Sequence, residues 1–214
     1  MFKQKPFFIV FEGVEGCGKS FKNKKIFNNL KKKGVKTILT REPGGTKSSE
    51  LIRNLILKDY FSKNKKEKFD KYTDTLLYLA ARNEHIKTKI LPALKSKKIV
   101  ICDRFVDSTI AYQVYGKKVN HKFINNIHKH ILKGLKPNLT FVLKVSSKSS
   151  KKRLLKRKSK NRYDNFSQSF YENVQKSFVK IAKKKKNYFI LDSSDNDNLL
   201  EKEIYKITSR FLKI

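Results

Sequence analysis

The chain has 214 residues, enough for one domain with a sizeable buried core. No apolar run approaches the roughly 20 residues that cross a bilayer, and Met1-Phe2-Lys3-Gln4 leads into a strand rather than a signal peptide, so a cytoplasmic protein with reduced Cys17 and Cys102 is expected. The formal charge of +34 raises a nucleic-acid reading. That reading weakens because the lysines are spread along the whole chain; an A+T-rich coding sequence accounts for them better, and no specific nucleic-acid partner is expected.

Arginine is the informative cation. Only 8 of the 52 Lys+Arg are Arg, and all but Arg210 fall in segments that look like parts of a site. In a chain that writes Lys by default, an Arg marks a place where a planar bidentate fork is needed.

The run Phe7 to Phe11 reads as a central strand, apolar on both sides of its pleat. It feeds into Gly13-Val14-Glu15-Gly16-Cys17-Gly18-Lys19-Ser20, the pattern G-x-x-x-x-G-K-S. The glycines let backbone N–H groups approach phosphate oxygens where a helix begins; Lys19 would reach the β- and γ-phosphates and Ser20 would ligate Mg2+. A helix follows to Lys33, then a strand from Val35 to Thr40 that ends in Arg41-Glu42-Pro43-Gly44-Gly45-Thr46. Open α/β sheets bind ligands at that end of a strand.

Ser48 to Lys58 reads as an amphipathic helix with Leu51, Ile52, Leu55 and Ile56 inward and Arg53 off that stripe. A long helix from Tyr72 to Leu94 follows, with Leu76, Leu77, Leu79, Ala80, Ile86 and Ile90 as core. Tyr78 and Arg82 share one of its faces, which by spacing alone suits a packed surface pair as well as a base platform. Lys98 to Cys102 is a buried strand ending in Asp103-Arg104, where an acid can serve as a second metal anchor beside Ser20.

Ser108 to Gln113 opens a helix whose short polar side chains can meet a base or sugar. His121, His128 and His130 lack partners at metal-ligand spacing and read as surface residues. Leu139 to Val145 is a strand. The basic segment after it, through Arg153 and Arg157 towards Arg162, suits a solvated face or a lid over phosphates. Helix, strand and helix (Phe166 to Lys184, Tyr188 to Leu191, Leu199 to Ile214) complete five strands alternating with helices. The expected fold is α/β: a P-loop NTPase with a five-stranded parallel sheet, helices on both faces, and a lid at about 150–166 within a single domain, 1–214.

Together the phosphate loop, TREPGGT (Thr40 to Thr46), YLAAR (Tyr78 to Arg82) and DRFVDSTIAYQ (Asp103 to Gln113) resemble the thymidylate kinase family over essentially the whole chain. The resemblance implies ATP-dependent phosphorylation of dTMP to dTDP with Mg2+, and commonly a homodimer. It implies that Glu15 takes the deoxyribose 3'-hydroxyl and that Glu12 frames the acceptor pocket. Arg41 and Arg104 would hold the dTMP phosphate, with Arg53 in support. Tyr78 would stack on thymine, Arg82 bond its edge, Thr109 and Gln113 complete base recognition, and Tyr112 pack on the sugar. Arg153 resembles the arginine over the ATP adenine and Arg157 the lid arginine at the transferring phosphates. Gly16 with Arg157 resembles the bacterial arrangement; eukaryotic members carry an Arg in the loop.

Departures from the family pattern are Cys17, Phe21, Lys144 and Asp164. Catalysis would rest on Lys19, Asp103, Arg104 and Arg157. Two alternatives stand beside this: another small-molecule kinase of the same architecture, such as a deoxynucleoside kinase, and a nucleotide-dependent nucleic-acid-binding protein.

Overall fold

A run of apolar residues that no helix period explains must be buried on both faces, and β1 (Phe7–Glu12) is: Phe8, Ile9, Val10 and Phe11 are no more than 1% exposed. The computed structural model describes residues 4–58, 68–156, 162–195 and 198–214. β1 pairs in parallel with β3 (Ile99–Asp103) and β4 (Leu139–Lys144); β2 (Thr37–Arg41) flanks β3 and β5 (Tyr188–Asp192) flanks β4. The five-stranded parallel sheet has the order β2-β3-β1-β4-β5.

Helices cover both faces of the sheet. On one, α1 (Lys19–Lys32), α8 (Gln168–Ala182) and α9 (Asn198–Leu212) bury Ile26, Leu30, Val174, Phe178 and Ile204 against Ile9, Phe11 and Phe141. On the other, Phe8, Val10, Val100 and Phe105 meet Ile86 and Ile90. Register decides what the carboxyl edge presents, since Phe11 and Arg41 both stand opposite Asp103. The remaining helices are α2 (Lys47–Leu57), α3 (Lys71–His85), α4 (Leu91–Lys95), α5 (Val106–Thr109), α6 (His121–Leu132) and α7 (Ser147–Leu155).

Several sequence expectations need correction. β2 starts two residues late because the Val35 N–H bonds the Leu30 carbonyl and closes α1, with Gly34 at φ 74°. It runs one residue further because Arg41 pairs with Asp103. The long helix is interrupted: π-helical turns span Ile86–Ile90, just before Pro92, which has no N–H to bond the carbonyl four residues back.

The core-facing stripes also differ. Leu51, Leu55 and Leu76 are 70%, 45% and 46% exposed, and Ala80 is exposed too. The buried face of α3 carries Asp74, Thr75, Arg82 and His85 instead. His128 is buried rather than on the surface, whereas His121 and His130 are exposed. Lys144 stands in register with Asp192, which supplies the carboxylate that the strand end lacks.

Phe141 lies wholly buried at the sheet centre, its ring centroid 4.9 Å from that of Phe11. Phe141→Ala is expected to lower the unfolding free energy by about 3–5 kcal/mol. Urea unfolding followed by circular dichroism measures it, and a loss below about 1 kcal/mol would show that the site collapses around the void.

Candidate active site

The phosphate loop connects β1 to α1 through Gly18 in the left-handed conformation, φ 84°, and no side chain caps the helix. The first N–H groups of α1 are thereby left for an anionic ligand. Lys19 is nearly buried, and its Nζ donates to the carbonyls of Gly13 (3.0 Å) and Val14 (2.8 Å), with Cys17 Sγ at 3.4 Å. Gly16 has φ 72°, and a Cβ there would lie 2.8 Å from Ser150 O. A larger residue has no room at this point of the loop.

Ser20 Oγ donates to Asp103 Oδ2 at 2.7 Å, from the first turn of α1 to the end of β3. The other oxygen, Asp103 Oδ1, is buried without a hydrogen-bond partner among the described residues. A hydroxyl beside a carboxylate with an unused oxygen is a hard donor set that fits Mg2+. Among the described residues no cluster of three or more His, Cys, Asp or Glu is placed to hold a metal. A cation bound here would take its remaining ligands from phosphates and water.

The turn after β3 is held from below by Glu12. Its wholly buried carboxylate accepts from the N–H groups of Phe105 (2.8 Å) and Ser108 (3.2 Å) and from Ser108 Oγ (2.5 Å). Burial, reinforced by the nearby Asp107 charge, pushes the Glu12 pKa up to about 7. Arg104 sits in this turn at φ 69°, a conformation that costs a non-glycine residue energy. Its Nη1 donates to Gly13 O and Ser108 Oγ, and its Nη2 to Glu15 Oε1 and more distantly Tyr112 OH. Tyr112 OH in turn donates to Glu15 Oε2. The Cys102 thiol donates to the Arg104 carbonyl and is kept protonated by burial and surrounding carboxylates.

Lys19, Ser20, Asp103, Arg104, Glu15 and Tyr112 line a cavity of about 510 Å³ together with Arg41, Arg53, Tyr78, Arg82, Thr109 and Gln113. Arg82 is almost wholly buried: Nε donates to Glu42 (2.7 Å), Nη1 to Thr109 Oγ1 (2.8 Å) and towards His128 Nε2 (2.9 Å), and Nη2 to Phe105 O (2.8 Å). Of five N–H donors, one on Nη2 is left over. Burial would raise the Glu42 pKa, but Arg82 and His85 more than offset it and hold the carboxyl below its usual range. Burial, then Arg82 and His121, pushes His128 down to about 3, so it is neutral and accepts from Arg82.

His85 bridges Thr40 Oγ1 (2.6 Å) and Glu42 (3.1 Å), and Gly45 is required beside it, because a Cβ would come within 2.7 Å of His85 Nε2. Gln113 is 1% exposed with its Nε2 unpartnered. Tyr78 OH donates to Tyr163 OH at 2.6 Å.

Arg41 is half exposed and bonds both Glu50 oxygens at 3.1 Å; Glu50 also accepts from Gly45 N, and Arg53 Nη1 donates to Pro43 O. Arg153 bridges Gly16 O and Ser194 O, each at 3.1 Å, beside a second cavity of about 370 Å³ that Phe21 and Glu201 also line. Arg157 lies outside the described residues.

A family model described as thymidylate kinase matches residues 11–204. The chain belongs to the thymidylate kinase family. It is 40% identical over 210 residues, 96% of each chain, to the thymidylate kinase of Aster yellows witches'-broom phytoplasma. It is 42% identical over 177 residues, 82% of this chain and 80% of the relative, to that of a Wolbachia from Brugia malayi. The crystal structure of the thymidylate kinase from Ehrlichia chaffeensis superposes with a TM-score of 0.75 at 33% identity, over 96% of this chain and 99% of that one.

The described site residues that the family resemblance picks out stand around one cavity or directly behind it. Sequence reasoning missed the layer that holds them: Glu42, Glu50, His85, His128 and Asp74. Two signals for it were available. A buried guanidinium demands a carboxylate, and Glu42 lies inside the motif already singled out. His128 falls four residues after Ile124, on the inward stripe of α6, which a search for metal ligands alone passes over.

The raised Glu12 pKa has a direct consequence. The folded state holds its proton up to about pH 7 while an unfolded glutamate loses it near 4.5, so stability falls as pH rises between these values. At pH 8 the penalty approaches roughly 3 kcal/mol. Glu12→Gln is expected to flatten this pH dependence; urea unfolding from pH 4.5 to 8 tests it, and parallel curves for variant and wild type would refute it.

Proposed function

We propose that the chain transfers the γ-phosphoryl group of ATP to the 5'-phosphate of dTMP, giving dTDP and ADP. The observation that carries this reading is one cavity lined both by Lys19 and Ser20 of the phosphate loop and by Arg41, Arg53 and Arg104. Three arginines on the wall opposite a phosphoryl donor site suit an acceptor that is already a phosphate, and they disfavour a nucleoside hydroxyl, which needs a base instead.

In this reading an acceptor phosphate oxygen forms a bond to the γ-phosphorus as the bond to the β–γ bridging oxygen breaks, and ADP leaves with the electron pair. The attacking oxygen is anionic, so positioning and charge neutralisation supply the rate. Lys19 exchanges the Gly13 and Val14 carbonyls for phosphate oxygens. Arg41 exchanges Glu50 for the acceptor phosphate, and Arg104 approaches it held by Gly13 and Glu15. The remaining Nη2 hydrogen of Arg82, the Thr109 hydroxyl and the unpartnered Gln113 amide are the groups free to read the base edge, with Tyr78 as its stacking partner. Glu15 and Tyr112 meet the sugar. Ser20 and Asp103 would hold Mg2+, which would supply charge neutralisation at the transferred group.

Arg153 takes the adenine side. Arg157 completes the donor site from a lid at about 150–166, an arrangement suited to Gly16, and residues 1–214 act as one kinase domain. The two buried free thiols suit a reducing cytoplasm.

An ADP-release assay with Mg-ATP across dTMP, dUMP, dCMP, thymidine and shikimate tests the assignment: dTMP is expected to give the highest kcat/KM, and preference for thymidine or shikimate would overturn it. Arg157→Ala should lower kcat by about 10^3 with far less change in dTMP binding; an unchanged kcat removes the lid arginine from the mechanism.

We also propose a homodimer built on α2 and α3. These helices pack on each other, and Leu51 with Leu55 on one and Tyr72 with Leu76 on the other remain in solvent. Leu55→Asp is expected to halve the mass seen by sedimentation equilibrium; a wild type that sediments as a monomer would refute the dimer.

A further inference from the structure

We propose that Asp74 is a positioning residue that docks the turn Arg162–Asn165 onto the acceptor base site. Asp74 lies in the first turn of α3 and is 1% exposed. Each of its oxygens takes a cation from a different part of the chain. Oδ2 accepts from Lys117 Nζ at 2.7 Å, from just after the π-helical turns Ile110–Gly116. Oδ1 accepts from Arg162 Nη2, in a 3-10 turn (Arg162–Asn165) that leads into α8.

A carboxylate this deep is tolerated as an ion only when both oxygens are paired. Each of these cations is equally dependent on it. Burial works against the charge of Lys117, and Arg162 adds repulsion, so Asp74 is what keeps the two together.

What the cluster encloses is Tyr163. Its ring lies 5.4 Å from Lys117 Nζ and 5.5 Å from the Arg162 guanidinium, and it is 4% exposed. It meets both aromatic residues of the acceptor site: Tyr163 OH accepts from Tyr78 OH at 2.6 Å, and its ring stands edge-on to Tyr112 with centroids 5.7 Å apart. Tyr78 follows Asp74 by four residues and therefore shares its face of α3. One carboxylate thus fixes, through two cations, the residue against which the base platform rests. By linkage, an acceptor that packs on Tyr78 steadies the turn Arg162–Asn165, and the docked turn presents Tyr78 in the geometry the acceptor needs.

The inference rests on the dTMP reading only for the identity of the acceptor. In Asp74→Asn, hydrogen exchange of the amides of residues 162–166 is expected to quicken about tenfold, the loss of one charge-assisted bond. The KM for dTMP should rise by a similar factor while that for ATP stays within about twofold, and Asp74→Glu should recover most of the loss. Tyr163→Phe removes only the hydroxyl link and is expected to raise the dTMP KM selectively, which keeps the test open should Asp74→Asn fail to fold.

Unchanged exchange at 162–166, or equal rises in both KM values, would overturn the inference. A wild type that ignores dTMP, with exchange still quickened in Asp74→Asn, would sink the acceptor assignment and leave the docking role standing.

Discussion

Glu12 fastens the end of β1 to the turn after β3, and the rest of the site hangs from that turn. The three hydrogen bonds it receives from Phe105 and Ser108 hold the stretch Asp103 to Ser108, in which nearly every group has a task. Asp103 faces Ser20, Arg104 reaches Gly13 and Glu15, and the Phe105 carbonyl receives Arg82. The carboxylate pays with desolvation, and Arg104 stays in a left-handed conformation that few non-glycine residues adopt. Strain of this kind persists only where surrounding bonds over-determine it. Here they come from the phosphate loop, the sheet edge and the Cys102 thiol.

A site for two anionic substrates poses a second problem: its cations must not drive one another apart before the anions arrive. Carboxylates stand in for phosphate. Glu50 occupies Arg41, Glu15 occupies Arg104, and the carbonyls of Gly13 and Val14 occupy Lys19. Arg82 is treated differently, since four of its five donors are permanently committed to buried partners, and it behaves as a rigid fork with one hydrogen to offer. Half-exposed pairs such as Arg41 with Glu50 exchange at low cost, whereas the Arg82–Glu42 pair is locked by burial. For the arginines, exposure therefore separates Arg41, free to follow substrate, from Arg82, which fixes its orientation.

How much of this the sequence displays depends on the range of the physics involved. The sheet was legible because β1, β3 and β4 are apolar runs buried on both faces, and the phosphate loop because glycine spacing and Lys-Ser are local requirements. Leu51, Leu55 and Leu76 misled because helical periodicity reports an apolar stripe without saying whether its own core or another surface covers it. The buried face of α3 was illegible for the converse reason: Asp74, Arg82 and His85 look like solvent residues until Glu42, Lys117 and Arg162 arrive from 40 to 88 positions away. Polar interiors are specified pairwise and at long range, and a local pattern cannot announce them.

Arginine usage ties these threads together. In a chain of 52 cations with 8 arginines, Arg82 and Arg104 each bond four groups through a planar fork, and Arg153 bridges two backbone carbonyls. A lysine in any of these places has three donors around one nitrogen and reaches fewer directions at once. The lysines with defined roles, Lys19, Lys22, Lys117 and Lys185, each bind as point charges to one or two neighbouring oxygens. The charge of +34 thus has two components. The lysine excess lies mostly on the surface, while arginines such as Arg82, Arg104 and Arg153 occupy positions where directional geometry matters more than charge. The second component points inward, with Arg41, Arg53, Arg82, Arg104 and Arg153 all lining one cavity.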